Sequence, residues 1–477
     1  MRKHKALKYV IGGLVGAAVP TLLTAGSAFA EDKDPVTLVM EANNLMWVVI
    51  GAILVIFMQA GFALVETGFT QKKNAAHVMS TNFAIFGLGF VGFLLIGFPL
   101  AFGGFSYPGY FGLDEAMGDK LIGSGNWIFL FQGWDHLKDS ASPALLAFFL
   151  YMVAFMDTVA TIPTGSMAER WKWKSFVIWG LFCGAFYYPL FAAWTWGGGW
   201  LGKTWDTMSL GAGYVDFAGS GVVHAVGGAA ALAGAIVLGP SIGKYGPDGK
   251  PKAIPGHSIP MAMLGTFILL FGWFGFNAAS TFASSDIRFA TVATNTAIAA
   301  AVGAVVAMYW VTWRTGKPDP GMMINGMLAG LVAITAPCAF VGPWAAIVIG
   351  ALAAVIVIEF AWFLDKKGVD DPVGAVAVHG IGGTFGVICV GLFANGDYGG
   401  AWNGSSVTGV KGLFYGEAGQ LGAQLLGVVV IWTIIFGVAF GFFKIQNKLT
   451  KGGIRTPEDE EIMGVDIPEM GVYGYVD

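Results

Sequence analysis

Long apolar stretches separated by brief polar or glycine- and proline-rich breaks fill most of the chain. A bilayer core takes about 20 mostly apolar residues per helix. On that ruler the sequence predicts spans at 42–66, 79–104, 144–167, 175–197, 217–239, 259–281, 289–312, 321–337, 343–364, 373–395 and 416–444, eleven in all. The least distinct border lies between the eighth and ninth, where one apolar block is broken only by Pro337 and Pro343. The first thirty residues follow another pattern. Arg2, Lys3, Lys5 and Lys8 precede an apolar run from Tyr9, and Ala28-Phe29-Ala30 stands before the polar Glu31-Asp32-Lys33-Asp34. That is the layout of a cleaved signal peptide over 1–30. It leaves an eleven-helix domain over 31–445 and a polar tail over 446–477.

Composition makes the same assignment by another route. Of 477 residues 56% are hydrophobic and 12% charged, against about 25% charged in a soluble domain, so the fold class is an all-α integral membrane protein. A net charge of −4 gives no argument for nucleic acid. Cys183, Cys338 and Cys389 lie in apolar runs without metal-ligand spacing and read as small core residues. Dividing the loops alternately between two sides puts sixteen Lys and Arg on one and six on the other, with four more in the signal segment, which accounts for all 26. The rich side is cytoplasmic by the positive-inside rule. The mature N-terminus is therefore expected outside and the C-terminus inside.

Two of the six histidines, His224 and His379, fall at membrane depth, where an ionisable side chain is costly and informative. They share a sentence: VVHAVGG at 222–228 and AVHGIGG at 377–383, with Asp216 and Asp371 each eight residues upstream. His4, His77, His136 and His257 read as signal-segment or loop residues. The first copy belongs to span five and the second to span ten, so the two run in opposite directions. Two five-helix halves of opposite orientation form an inverted repeat, with the eleventh helix outside it, and such folds place their site near the midplane between the halves.

Four readings compete for the histidine pair. Each imidazole could serve helix packing, worth about 1 kcal/mol or less per bond in membranes. Two axial histidines could hold a haem, although further ligands or partners are not evident. A metal site lacks a third ligand. Finally, facing imidazoles could line a narrow path and pass a proton or hydrogen-bond a small solute. The Gly-Gly pairs favour the last, because they let helices approach closely and leave the imidazole protruding into the gap. Glu66 and Asp157 read as interfacial or hydrogen-bonded groups toward the cytoplasmic ends of their spans, outside that path.

The chain resembles the ammonium transporters (the Amt/Mep/Rh family, bacterial Amt type) over almost its whole mature length. The resemblance is carried by DFAGSGVVH in span five, VDDPVGAVAVHG ahead of span ten, GWFGFNAAS in span six and MAER after span three. It implies an outer vestibule that recruits ammonium at an aromatic and a hydroxyl, here Trp196 and Ser280, together with Phe155. It implies a gate of two stacked phenyl rings, Phe155 and Phe276, above the paired histidines His224 and His379 as pore lining and proton relay. Asp216 and Asp371 are then supporting residues, for which capping or orienting a helix is at least as natural a role as proton chemistry. Glu66 and Asp157 depart from the family members' usual residues, which leaves open a side branch for water or protons.

The resemblance further implies ammonium uptake across the bacterial cytoplasmic membrane by a homotrimer with one pore per subunit, without enzymatic activity or a cofactor, and leaves open methylammonium as a second solute. An apolar pore rejects bare ions, whereas ammonium can shed a proton and cross as ammonia. Whether the proton follows separately, giving electrogenic uptake, or the protein conducts gas, ammonia or carbon dioxide, is left open. The acidic tail resembles the family's regulatory tail, which couples subunits and can meet a PII-type signalling protein. Met470 stands where many members carry histidine, which weakens that last implication. A dedicated ammonium sensor is the alternative function, disfavoured because no further domain follows the tail.

Overall fold

The computed structural model describes residues 34–103 and 134–476; the expected signal peptide lies outside them. All long elements among the described residues are helices, and the β pairings are isolated bridges. Among the described residues, ten helices are long and apolar enough to cross a membrane: α1 (Pro35–Phe69), α2 (Lys72–Phe102), α3 (Pro143–Ser166), α4 (Trp173–Trp194), α5 (Ser220–Leu238), α6 (Ile259–Thr281), α7 (Arg288–Thr315), α9 (Pro343–Lys366), α10 (Val376–Phe393) and α11 (Ala418–Leu449). A shorter apolar helix, α8 (Pro320–Ile334), takes the eighth place in the order.

Helix starts follow from local chemistry. Asp34, Ser142 and Asp319 each precede a proline, whose missing N–H costs nothing in a first turn. Their side chains accept from Val36 N at 2.9 Å, Leu145 N at 3.2 Å and Gly321 N at 2.8 Å, satisfying donors that a helix leaves orphaned. Large apolar side chains face outward along the bundle: Phe83 is 85% exposed and Trp313 72%. Water would penalise such a belt, whereas acyl chains accept it. Inside, α3, α5 and α10 are the most enclosed helices.

The border between α8 and α9 is indistinct in the sequence because the chain there is irregular yet buried. Such backbone survives at membrane depth only when protein satisfies its polar groups. Phe217 N and Ala218 N donate to Ala336 O and Thr335 O at 3.2 Å. The Asn295 side chain donates to Cys338 O and Val341 O at 2.9 Å.

The tail is packed against the bundle. Asp466 accepts from Ala76 N at 3.1 Å and His77 N at 2.9 Å, the opening turn of the α-helical part of α2. Glu469 accepts from Trp173 N at 3.1 Å, at the start of α4. Lys73 Nζ donates to Glu461 O and Ile462 O at 2.8 Å, and Arg455 pairs with Glu461 at 2.8 Å. His77, which the sequence pattern put in a loop, is thus inside a helix and 1% exposed. Its main-chain N–H reaches Asp466, 389 residues along the chain.

Candidate functional site

His224 and His379 each lie in a π-helical turn, Ser220–Ala225 and Val376–Ile381. One extra residue in a turn re-aims the side chains it carries, which is why such turns gather at functional sites. The same carboxylate device precedes both. Asp216 Oδ2 accepts from Gly221 N and Val222 N at 2.8 Å, and Asp371 Oδ2 accepts from Val376 N at 2.8 Å and Ala377 N at 3.4 Å. In each copy the donors are five and six residues on. Asp216 Oδ1 also accepts from Gly219 N at 2.8 Å. Both carboxylates therefore hold the start of a histidine-bearing turn, and neither hydrogen-bonds an imidazole among the described residues.

The second glycine of each pair sets the distance between the halves. A Cβ on Gly228 would drive into the backbone of Gly380, and a Cβ on Gly383 would stand 2.7 Å from Ala225 N and nearer still to Ser220 O. Each glycine thus abuts the residue that follows the opposite histidine. The close approach brings His224 Nδ1 and His379 Nδ1 to 3.1 Å, with ring centroids 5.2 Å apart and planes at 25°. One Nδ1 must donate and the other accept, which makes the pair a proton-bearing contact of opposed tautomers.

Rings continue the column. Phe276 stacks on His224 at 5.4 Å, Phe155 stacks on Phe276 at 4.2 Å and 25°, and Trp196 meets Phe155 edge-on at 5.8 Å. Trp273 flanks His224 at 5.1 Å, fixed by its Nε1–H to Thr335 Oγ1 at 2.9 Å. Trp196 Nε1 donates to Asp216 O at 2.7 Å, which fixes the indole over the start of the first π turn. Ser280 Oγ donates to Phe276 O at 2.8 Å and lies 3.1 Å from Tyr151 OH.

Above this column lies a cavity of about 780 Å³, lined among others by Phe155, Trp196, Ser280 and Asp216. Phe276 and the histidines are outside its lining, so the stacked phenyl pair separates the cavity from the imidazoles. Tyr151, Phe217, Tyr398 and Trp402 also line it and were missed from the sequence. Tyr151 had a signal, standing one turn before Phe155 on the same helix face. Tyr398 and Trp402 come from the segment between α10 and α11, where nothing in the pattern marks them. Asp371 stands apart, at the opposite end of the column.

Glu66 and Asp157 are both enclosed by protein, and Glu66 is hydrogen-bonded, one of the two roles its position suggested. Both are 3% exposed. Glu66 accepts from Asn82 Nδ2 at 2.6 Å and Thr164 Oγ1 at 2.9 Å. Asp157 sits well inside α3, and its Oδ1 has no hydrogen-bond partner among the described residues. At the tail end of the bundle, Arg170 of the MAER segment is fully buried. It donates to Gly239 O at 2.9 Å, just past α5, and to Asp370 O at 3.0 Å, just ahead of α10. One guanidinium thereby ties together the ends of the two histidine-bearing helices.

Residues 46–475 match the model of the Ammonium Transporter Family. Among relatives, the ammonium transporter Amt2 of Archaeoglobus fulgidus is 43% identical over 98% of this chain and 96% of its own. Amt1 of Haloferax mediterranei is 36% identical over 93% and 81%. Among solved structures, a protein described as a Sensor Amt Protein superposes with a TM-score of 0.77 at 35% identity, over 91% of this chain and 99% of that one. Mep2 of Candida albicans superposes at 0.72 and 29% identity, over 91% and 90%.

Proposed function

The chain belongs to the ammonium transporter family, and from that premise we propose that it takes up ammonium by binding the ion in the cavity, stripping its proton and conducting ammonia past paired histidines. The observation that carries this reading is the unbroken column Trp196, Phe155, Phe276, His224, His379 beneath the cavity. Trp196 offers an indole face to a cation partly stripped of water. Ser280 Oγ accepts an N–H. The phenyl pair below excludes water and closes the passage to anything it cannot part around.

Selectivity follows from what lies beneath. A bare charge at the membrane centre costs from about 2.5 to more than 10 kcal/mol, and the column has rings and no counter-charge to offset it. Potassium has no neutral form. Ammonium does, so the same apolar column that blocks one ion passes the other as ammonia. The two imidazoles give ammonia a hydrogen-bonding path and can hand a proton from one Nδ1 to the other. Asp216 and Asp371 hold the π turns that aim them.

In this reading the N-terminus lies outside a bacterial cytoplasmic membrane and the tail inside. The protein acts as a homotrimer, takes methylammonium as a second solute, and offers its tail to a PII-type signalling protein. The test is current on a solid-supported membrane from proteoliposomes pulsed with ammonium and then potassium, in wild type and His224→Ala/His379→Ala. Current for ammonium alone, lost or made unselective in the double variant, is the expected result. Unaltered, selective flux in that variant would remove the histidines from the mechanism. Internal pH change without current would make the protein a gas channel for ammonia, with carbon dioxide as a further candidate. The likeness to a Sensor Amt Protein favours a second reading, ammonium sensing, which predicts binding with neither current nor pH change.

A further inference from the structure

Asp157 is a carboxyl enclosed in the bundle, with one oxygen left unpartnered among the described residues and no basic side chain bonded to it. Such a group inside a membrane protein is a functional candidate by default. Its surroundings make the case stronger. Asp157, Thr161 and Thr164 are spaced i, i+4 and i+7, one face of α3, while Phe155 falls on the opposite face toward the cavity. Thr161 Oγ1 lies 2.9 Å from both Asp157 O and Gln59 Oε1. Gln59 Nε2 donates to Asn82 O at 2.7 Å, and Asn82 Nδ2 to Glu66 Oε2 at 2.6 Å. Thr164 Oγ1 closes the series on Glu66 at 2.9 Å.

These residues form a buried polar seam between α1, α2 and α3, separate from the ring column. It runs from the main-chain carbonyl of Asp157, whose carboxyl accepts no hydrogen bond from the seam among the described residues, to Glu66, three residues before the end of α1 and at the end of the bundle where the tail docks. The amides hold its geometry. The two carboxyls are the groups that take up and release protons. The other titratable neighbour is the Cys183 thiol of α4, close enough to interact electrostatically with Asp157.

We propose that Asp157 is a proton-binding site inside the membrane, filled and emptied from the tail end of the bundle, toward which the polar seam on its helix face leads, so that pH on that side sets the charge behind the gate phenyl. The chemistry is one proton moving on and off a carboxylate, giving a carboxylic acid and back, with hydronium on the tail side as donor. The effect on transport rests on the ammonium reading above; the proton site itself does not.

Two readouts keep those apart. Infrared difference spectra of the reconstituted protein, taken after a pH jump on the tail side, should show the C=O stretch of a protonated carboxyl. Asp157→Asn should remove it, Asp157→Glu should restore it at a shifted frequency, and Thr161→Val, which cuts the seam while leaving the acid, should slow its response. In the current assay, wild-type ammonium current should change at least about three-fold over two pH units on that side, as a titrating proton requires. Asp157→Asn should flatten that dependence, and Asp157→Glu should bring it back. A band of equal size in Asp157→Asn, a band indifferent to tail-side pH, or an unchanged pH dependence of current would each overturn the proposal. Should Asp157→Asn fail to fold, Asp157→Glu and Thr161→Val decide by the same criteria. No ammonium current in wild type would instead refute the electrogenic reading, and the spectra alone would then decide the site.

Discussion

Gly383 gives the sharpest test of how the two halves are held. A Cβ added there meets Ala225 N at 2.7 Å and Ser220 O nearer, where ordinary contact begins at 3.4 Å. Both opposing atoms are backbone, so no side chain can rotate away, and α10 must move off α5 by at least about 0.7 Å, the kind of overpacking that costs about 1–3 kcal/mol. The imidazoles begin at 3.1 Å. Moved apart by the same amount along their line of contact, they reach about 3.8 Å, beyond hydrogen-bond range. A comparable misplacement at a reacting centre lowers rate by up to about a hundred-fold, so Gly383→Ala should lose ten-fold or more of its ammonium current and unfold at lower temperature. Gly437→Ala is the control. That helical glycine has nothing within 4 Å of an added Cβ and no positive φ, so current and stability should stay near wild type. Gly383→Ala with wild-type current would mean that the 3.1 Å imidazole contact is not what the protein uses.

Asp216→Ala should destabilise more than Asp371→Ala in thermal unfolding of the purified protein, because Asp216 accepts three backbone N–H groups at 2.8 Å and Asp371 only two, one of them at 3.4 Å; hydrogen bonds to charged groups are worth about 1.5–3 kcal/mol each. Asp370→Asn strands the fully buried Arg170, whose Nη2 lies 3.8 Å from the carboxylate, and should cost about 3–5 kcal/mol in the same assay. Burial pushes the Asp370 carboxyl up, but Arg170, Ser241 and Lys244 together bring it below its ordinary 3.8. Its contribution is therefore complete above that value and lost as pH falls through the lower folded one, an acid limb that Asp370→Asn should lack. Glu469 behaves oppositely: burial raises its carboxyl above the ordinary 4.5, so tail docking is favoured below that value and weakens as pH rises through the folded one. Limited proteolysis of the tail should quicken with pH in wild type and much less in Glu469→Gln.

How much of this was legible depends on how local its cause is. Apolar runs gave the spans because each helix answers to its own composition, and the Asp-to-His interval revealed the repeat because both copies carry their own cap. The π turns escaped, since a shift of one residue within a helix leaves no mark in apolar periodicity. Tyr398 and Trp402 escaped because a long connection folds over the cavity from far along the chain. His77 was misplaced because the groups beside it, Trp173 and Asp466, come from distant segments. Short-range pattern carries what a segment does alone. It does not carry what another segment does to it.

The same logic explains why the repeat is uneven where the two ends of the column differ. Both copies keep the carboxylate, the π turn, the histidine and the closely packed glycine, which is the set needed to bring two imidazoles to 3.1 Å. They diverge at the acids. Asp216 lines the cavity and is tied to Trp196 through its carbonyl at 2.7 Å, so the first copy joins the cap to the aromatic end of the column. Asp371 keeps an unpartnered Oδ1 and follows Asp370, which is paired with Arg170. Arg170 also holds the end of α5 through Gly239 O at 2.9 Å. A change at Arg170 therefore displaces both histidine-bearing helices at once, whereas a change at Trp196 disturbs only the cavity end. Arg170→Lys retains the charge but not the fork of donors. It should widen the imidazole contact and lower current while leaving ammonium binding at the cavity unchanged, whereas Trp196→Ala should weaken that binding and leave the imidazole contact unchanged. Equal losses of binding in both variants would show that the two ends of the column are not separable.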